Sequence, residues 1–245
     1  MQPSTPLWIS VITTAVAMVV PVLAWFVFRR FARRSARELV APSAIFVALW
    51  IGLAYTLSAR GFFSAPRAGS VPPIALALVP LAIGYLGFLT VRPVRAVLEE
   101  IPLSWLTGLQ LYRAVGAVFL VEWMMGALPG TFALPAGIGD VAIGLAAPIV
   151  AARLQRESRH ARDWAILWNV LGVADLVTAV ATGVLSTPGP LHILSLDSHS
   201  HALTMLPLVL VPTIAVPFSI LLHLVGLHRL IGRVHSAPLG MRAAA

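Results

Sequence analysis

Long apolar runs alternate along this chain with short segments that are basic or rich in turn residues. Seven runs can be drawn: Leu7–Phe28, Leu39–Ser58, Val71–Val91, Leu103–Leu128, Leu134–Ala151, Trp164–Leu185 and His201–Val225. A bilayer core of about 30 Å takes about 20 helical residues, within a range of about 17–25. Each run meets or nearly meets that length. The pattern predicts an all-α, polytopic membrane protein, a seven-transmembrane-helix bundle forming one membrane domain over residues 1–235. A disordered tail is expected at 236–245. The fifth run is the shortest, and its start, Leu134-Pro135-Ala136-Gly137-Ile138-Gly139-Asp140, suits a re-entrant entry before the helix proper. The first run does not read as a cleavable leader, because it lacks a basic n-region and its charges follow it.

Charge placement orients the bundle. With the N-terminus outside, the inner segments hold Arg29, Arg30, Arg33, Arg34, Arg37, Arg92, Arg95, Arg153, Arg156, Arg159, Arg162, Arg229, Arg233 and Arg242, and the outer ones only Arg60 and Arg67. A 14-to-2 split puts the C-terminus in the cytoplasm. The cluster at Arg29–Arg37 reads first as a topology anchor and second as a patch for anionic lipids of the bilayer. This placement also accounts for the net charge of +8, so nucleic acid is not implied as a partner.

Composition removes several function classes. Of 245 residues, 59% are hydrophobic and 11% charged, against about 25% charged in a soluble domain. Every basic residue is arginine; lysine and cysteine are absent. Without lysine there is no retinal Schiff base. Without cysteine there are no disulfides, thiolate metal sites or iron–sulfur clusters. Ala-rich, lysine-free usage suits a bacterial inner membrane as the location.

Polar residues inside the runs carry the candidate chemistry, because a charge at mid-membrane costs at least about 2.5–3.5 kcal/mol. They form a candidate buried network: Gln110, Arg113, Glu122, Asp140, Asn169, Asp175 and His223. Counting at 1.5 Å per residue puts Arg113 and Asp175 at one level near the midplane and predicts that they pair. The same count puts Glu122 and Asp140 near the outer edge, and Asn169 and His223 near the inner edge. All lie on helices four to seven, leaving helices one to three as a scaffold or lipid-facing wall. Helix seven holds Pro207, Pro212 and Pro217, each of which frees a carbonyl four residues earlier. A hinge and a static kink are both compatible with that spacing. Only His223 sits plainly inside the bilayer, and His201 lies at the opposite edge of the same helix, so a haem is disfavoured.

Four blocks carry a resemblance: Gln110-Leu111-Tyr112-Arg113 with Glu122; Asp140 with Gly144, Ala147 and Pro148; Trp168-Asn169 with Gly172 and Asp175; and Pro207, Pro212, Pro217 with His223. Together they are similar to an uncharacterised family of bacterial multi-pass membrane proteins, and that resemblance implies no activity. Three functions stay open: binding or moving a proton, cation or small polar solute; a non-catalytic membrane partner or scaffold whose buried charges fix packing; and a metal-dependent membrane enzyme. The last would gather Glu122, Asp140, His199 and His201, with Asp197, in one outer pocket as a nitrogen–oxygen ligand set for a divalent metal. No motif names a reaction, no cofactor is evident, and oligomeric state is not legible.

Overall fold

The structure is a computed structural model that describes residues 5–32, 34–64, 73–186, 193–194 and 202–235. The regular secondary structure of the described residues is all helical, with no strand. In chain order they form α1 (Leu7–Phe31), a 3₁₀ turn (Arg34–Leu39), α2 (Val40–Ala59), a second 3₁₀ turn (Pro73–Leu78), α3 (Val79–Thr90) and α4 (Arg92–Glu100). The fourth apolar run follows as α5 (Leu103–Leu109), a 3₁₀ segment (Gln110–Gly116) and α6 (Ala117–Met124). Then come α7 (Gly130–Gln155), α8 (Ala161–Ser186), a π turn (Val211–Ala215) and α9 (Val216–His235). Six stretches of 22–26 residues are long and apolar enough to cross a membrane, or up to seven if one bent pair counts as a span.

That bent pair is the first departure from the apolar pattern. The third run ends at Thr90 and turns by 92° into α4, an amphipathic helix with Val97 buried and Arg92 and Glu99 exposed. Nine residues of mixed polarity make no apolar run, so the pattern gave a loop there. Arginines hold the bend. Arg95 Nε donates to Phe88 O at 3.3 Å, and the same side chain donates to Leu89 O, covering carbonyls that the end of α3 leaves open. Arg229, from α9, donates to Leu98 O (2.8 Å), Ile101 O (2.6 Å) and Glu99 O (2.7 Å) and so caps the end of α4.

Two boundaries shift as well. α7 is one continuous helix from Gly130, with Pro135 and Pro148 inside it, so the re-entrant entry is replaced by an earlier helix start. Gly and Pro are tolerated in membrane helices more than in soluble ones. The last span starts at Val211 and not at His201, and its helix runs on to His235. The expected tail at 236–245 lies outside the described residues.

α7 is the centre of the bundle, packing on α5, the 3₁₀ segment, α6 and α8. Its buried face is a row of small residues, Ala133, Ala136, Gly137, Gly144 and Ala147, at helical three–four spacing. Such rows let two helix backbones approach closely. Gly144 marks the closest point: a side-chain carbon there would fall onto the backbone of Arg113 and Ala114. α9 packs on α3, α5 and α8, and α1 lies against the π turn and the 3₁₀ segment. α2 stays peripheral, burying only Ala54 and Ser58. Apolar side chains such as Leu49, Leu53, Leu86, Ile149 and Leu171 are exposed on the outside of the bundle, as a lipid-facing surface requires.

Candidate functional site

The site grows from the 3₁₀ segment of the fourth apolar run. Tightening the helix at Gln110–Gly116 turns Gln110, Tyr112 and Arg113 toward α7, α8 and α9. Mid-helix 3₁₀ stretches often mark functional positions. Arg113 is the hub. Its Nε donates to Asp140 Oδ1 at 2.7 Å, and it also donates to Asp175 Oδ2. Its third nitrogen donates to His223 Nε2 at 3.0 Å and to Gly172 O at 3.4 Å.

A guanidinium donates and never accepts, so His223 Nε2 carries no proton. The imidazole proton therefore sits on Nδ1, which donates to Asn169 Oδ1 at 2.9 Å. Asn169 Nδ2 donates in turn to Ala165 O at 2.7 Å. Each donor and acceptor in this row has one consistent assignment. Trp168 packs on the His223 ring with centroids 4.7 Å apart, and its own N–H donates to Ile143 O.

Beside the hub, Tyr112 Oη donates to Ala215 O at 3.1 Å and contacts Ser219 Oγ. With the phenol proton committed to Ala215, the serine hydroxyl is the donor of that pair. Gln110 Nε2 donates to Ser219 O at 3.1 Å. Four glycines make room for the polar side chains. A side-chain carbon at Gly116 would fall onto Asp140, at Gly139 onto Asp175, at Gly172 onto His223 and at Gly226 onto Asn169.

Of the three tiers expected from depth counting, all members but Glu122 gather around Arg113. Arg113 and Asp175 pair as expected, but Asp140 joins them at the same level. α7 starts at Gly130, so Asp140 is ten residues in, roughly 15 Å from that end. The last helix, shifted ten residues toward the C-terminus at both ends, likewise moves His223 away from the inner edge and onto Arg113. Glu122 stays apart, two residues before the end of α6. It and Asp140 do not share a pocket, since Asp140 is held by Arg113. Asp197, His199 and His201 lie outside the described residues, and among the described residues no group of three or more His, Asp or Glu is placed to hold a metal.

A cavity opens next to the hub, lined by Thr13 and Ala17 of α1, Tyr112, Arg113, Asp140 and Ser219, among others. It offers about 40 Å³ to the centres of water molecules, where one water needs roughly 10–15 Å³. There is room for a few waters and not for a larger solute. Thr13 Oγ1 is buried with no hydrogen-bond partner in the protein, and buried groups of that kind are satisfied by water. α1 thus belongs to the site, where the sequence suggested only a wall. Thr13 lies on the buried stripe Ile9, Thr13, Ala17 and Val20, which is the signal that points to it. Tyr112, Ser219 and the glycines at 116, 139 and 226 are the other contributors that polar-residue counting passed over.

Electrostatically the hub sets one guanidinium against two carboxylates. The Arg113 side chain is 1% exposed, whereas those of Asp140 and Asp175 are 14% and 13% exposed. No curated protein and no solved structure matches the chain. A family model does match it over residues 70–231, about two thirds of the chain, and the chain belongs to that family, a domain of unknown function designated DUF8737.

Proposed function

We propose that this protein takes up and releases a proton at Asp140, beside Arg113, in the middle of a bacterial inner membrane, as part of moving a proton or small cation. The observation that carries this is the charge count at the hub. With both aspartates ionised, Arg113 leaves one negative charge uncompensated where such a charge is costly. A proton or a small cation removes that cost. Asp140 lines the water-sized cavity and Asp175 does not, so Asp140 exchanges while Asp175 stays the fixed counter-ion. The cavity size favours a proton, a small cation or water over a larger polar solute.

The same reading places seven spans in the bilayer. The third would comprise six 3₁₀ and twelve α residues, which is about 30 Å at roughly 2.0 and 1.5 Å per residue, with α4 lying along the surface. The arginine asymmetry supports an outer N-terminus and a cytoplasmic C-terminus. Arg29–Arg37 would then meet the anionic headgroups of the inner leaflet.

The test is proton uptake into proteoliposomes that contain a pH-sensitive dye and are driven by a potassium diffusion potential. Wild type should acidify the lumen faster than empty vesicles, and Asp140→Asn should remove the difference while the protein stays folded. Equal rates for wild type and empty vesicles would overturn the proposal. Flux that requires sodium or potassium would reassign the ion. One observation favours a second reading, a non-catalytic partner with a purely structural network: every nitrogen of the Arg113 guanidinium is already bonded. On that reading Asp140→Asn lowers the yield of folded protein and changes no flux.

A further inference from the structure

Among the described residues, Glu122 is the one buried acid that the Arg113 network leaves out. It is fully buried, and among the described residues no group meets either carboxyl oxygen in good hydrogen-bond geometry. The Thr5 side chain, which is neutral, approaches it. The end of the fourth apolar run closes over it. Gly126 takes a left-handed φ of 73°, which lets the N–H groups of Ala127 and Leu128 reach back to the Glu122 carbonyl at 2.8 and 3.3 Å. One turn earlier on α6, Val118 and Phe119 belong to an apolar cluster with Ile9, Leu128, Phe132 and Leu208.

Polar groups of this kind are otherwise paired inside proteins. A buried carboxylate without a cation carries a desolvation cost that taking up a proton removes. Among the described residues no arginine or histidine pairs with Glu122. Val118, four residues before it and therefore on the same helix face, lines the water-sized cavity that reaches Asp140, as Phe119 does. Glu122 thus stands one turn beyond the end of that cavity, on the side away from Gln110.

We propose that Glu122 is a second proton-carrying group, held as the neutral acid in an apolar pocket, and that it exchanges its proton with the water of the cavity below. This extends the reading of Asp140 as the exchanging acid, but it is testable without it. Glu38, Glu99, Glu100 and Glu157 are exposed or half-buried, so Glu122 is the only fully buried glutamate.

The experiment is infrared spectroscopy of the full chain in lipid at neutral pH. Wild type should show the C=O stretch of a protonated carboxyl, and Glu122→Gln should lose it. Growth on ¹³C-glutamate should move the band in wild type, an assignment that needs no variant to fold. Transfer to D₂O should shift the band, as exchange with cavity water requires. Absence of a glutamic-acid band, with only carboxylate bands present, would overturn the proposal and indicate an anion with a bound cation. A band that never shifts in D₂O would overturn the exchange. Asp140→Asn should leave the Glu122 band in place, so a failure of the flux experiment and a failure here are distinguishable.

Discussion

Arg113 meets only acceptors: two carboxylates, a carbonyl and an imidazole nitrogen. Removing its charge leaves both aspartates uncompensated, whereas removing one aspartate leaves a balanced pair. The damage should follow that order. Breaking a buried pair costs about 3–5 kcal/mol in soluble proteins. Arg113→Gln should therefore lower folded yield and melting temperature more than Asp175→Asn does. The triple change Arg113→Gln, Asp140→Asn, Asp175→Asn should recover much of the loss, since no charge remains at the hub. Thermal unfolding in detergent, followed by size-exclusion chromatography, reads all three variants. A triple variant no better than Arg113→Gln alone would show that the charges are not what the site balances. The residue types of this hub were legible in the sequence because charges inside apolar runs stand out. Their mutual placement was not, because depth counting multiplies any error in a helix start. Four residues missed at the start of α7 moved Asp140 by about 6 Å, enough to put it in the wrong tier.

Among the elements, α4 is the least legible and the most explicit in its attachment. Nothing in an apolar profile separates a nine-residue interfacial helix from a loop, and its cap comes from a side chain about 130 residues away in sequence. Arg229 supplies charge-assisted hydrogen bonds, worth roughly 1.5–3 kcal/mol in typical cases. Arg229→Leu should therefore loosen α4 without touching the Arg113 hub. Hydrogen–deuterium exchange of residues 92–101 should speed up by about tenfold or more, since each 1.4 kcal/mol is a factor of ten, while residues 108–118 keep their protection. Unchanged exchange at 92–101 would mean that packing of Val97 alone holds the helix down. The longer helices were read more reliably. Their apolar length is set by the bilayer and survives a glycine or proline, whereas the turn value of those residues, learned from soluble proteins, misplaced the start of the fifth run.

At the scale of the whole molecule, arginines on one side of the proposed membrane act on the fold directly. Arg95 and Arg229 cap helix ends, Arg162 donates to Leu230 O at 2.7 Å, and Arg153 stacks on Trp164. If that side is cytoplasmic, single cysteines in this cysteine-free chain report it without background. Cysteines at Ser35 and Ser158 should react with an impermeant maleimide only after the membrane is opened, and one at Ser70 should react in intact cells. Labelling of Ser158→Cys in intact cells would invert the orientation. The charge asymmetry made this expectation legible, whereas the inclusion of α1 in the site was not, since Ser10, Thr13 and Thr14 are uncharged and only the burial of Thr13 sets it apart.

The place of α1 also bears on how the chain is assembled. Its stripe of Ile9, Thr13, Ala17 and Val20 faces partners in the π turn and the last helix, which leave the ribosome about 200 residues later, or roughly 10–40 s at about 5–20 residues per second. For that interval the first helix waits in the lipid without its final neighbour, and the wall of the cavity is open. The wall of the cavity is thus completed only when Val211, Ala215 and Ser219 reach α1, so a chain truncated before residue 211 should leave the Arg113 hub open on that side.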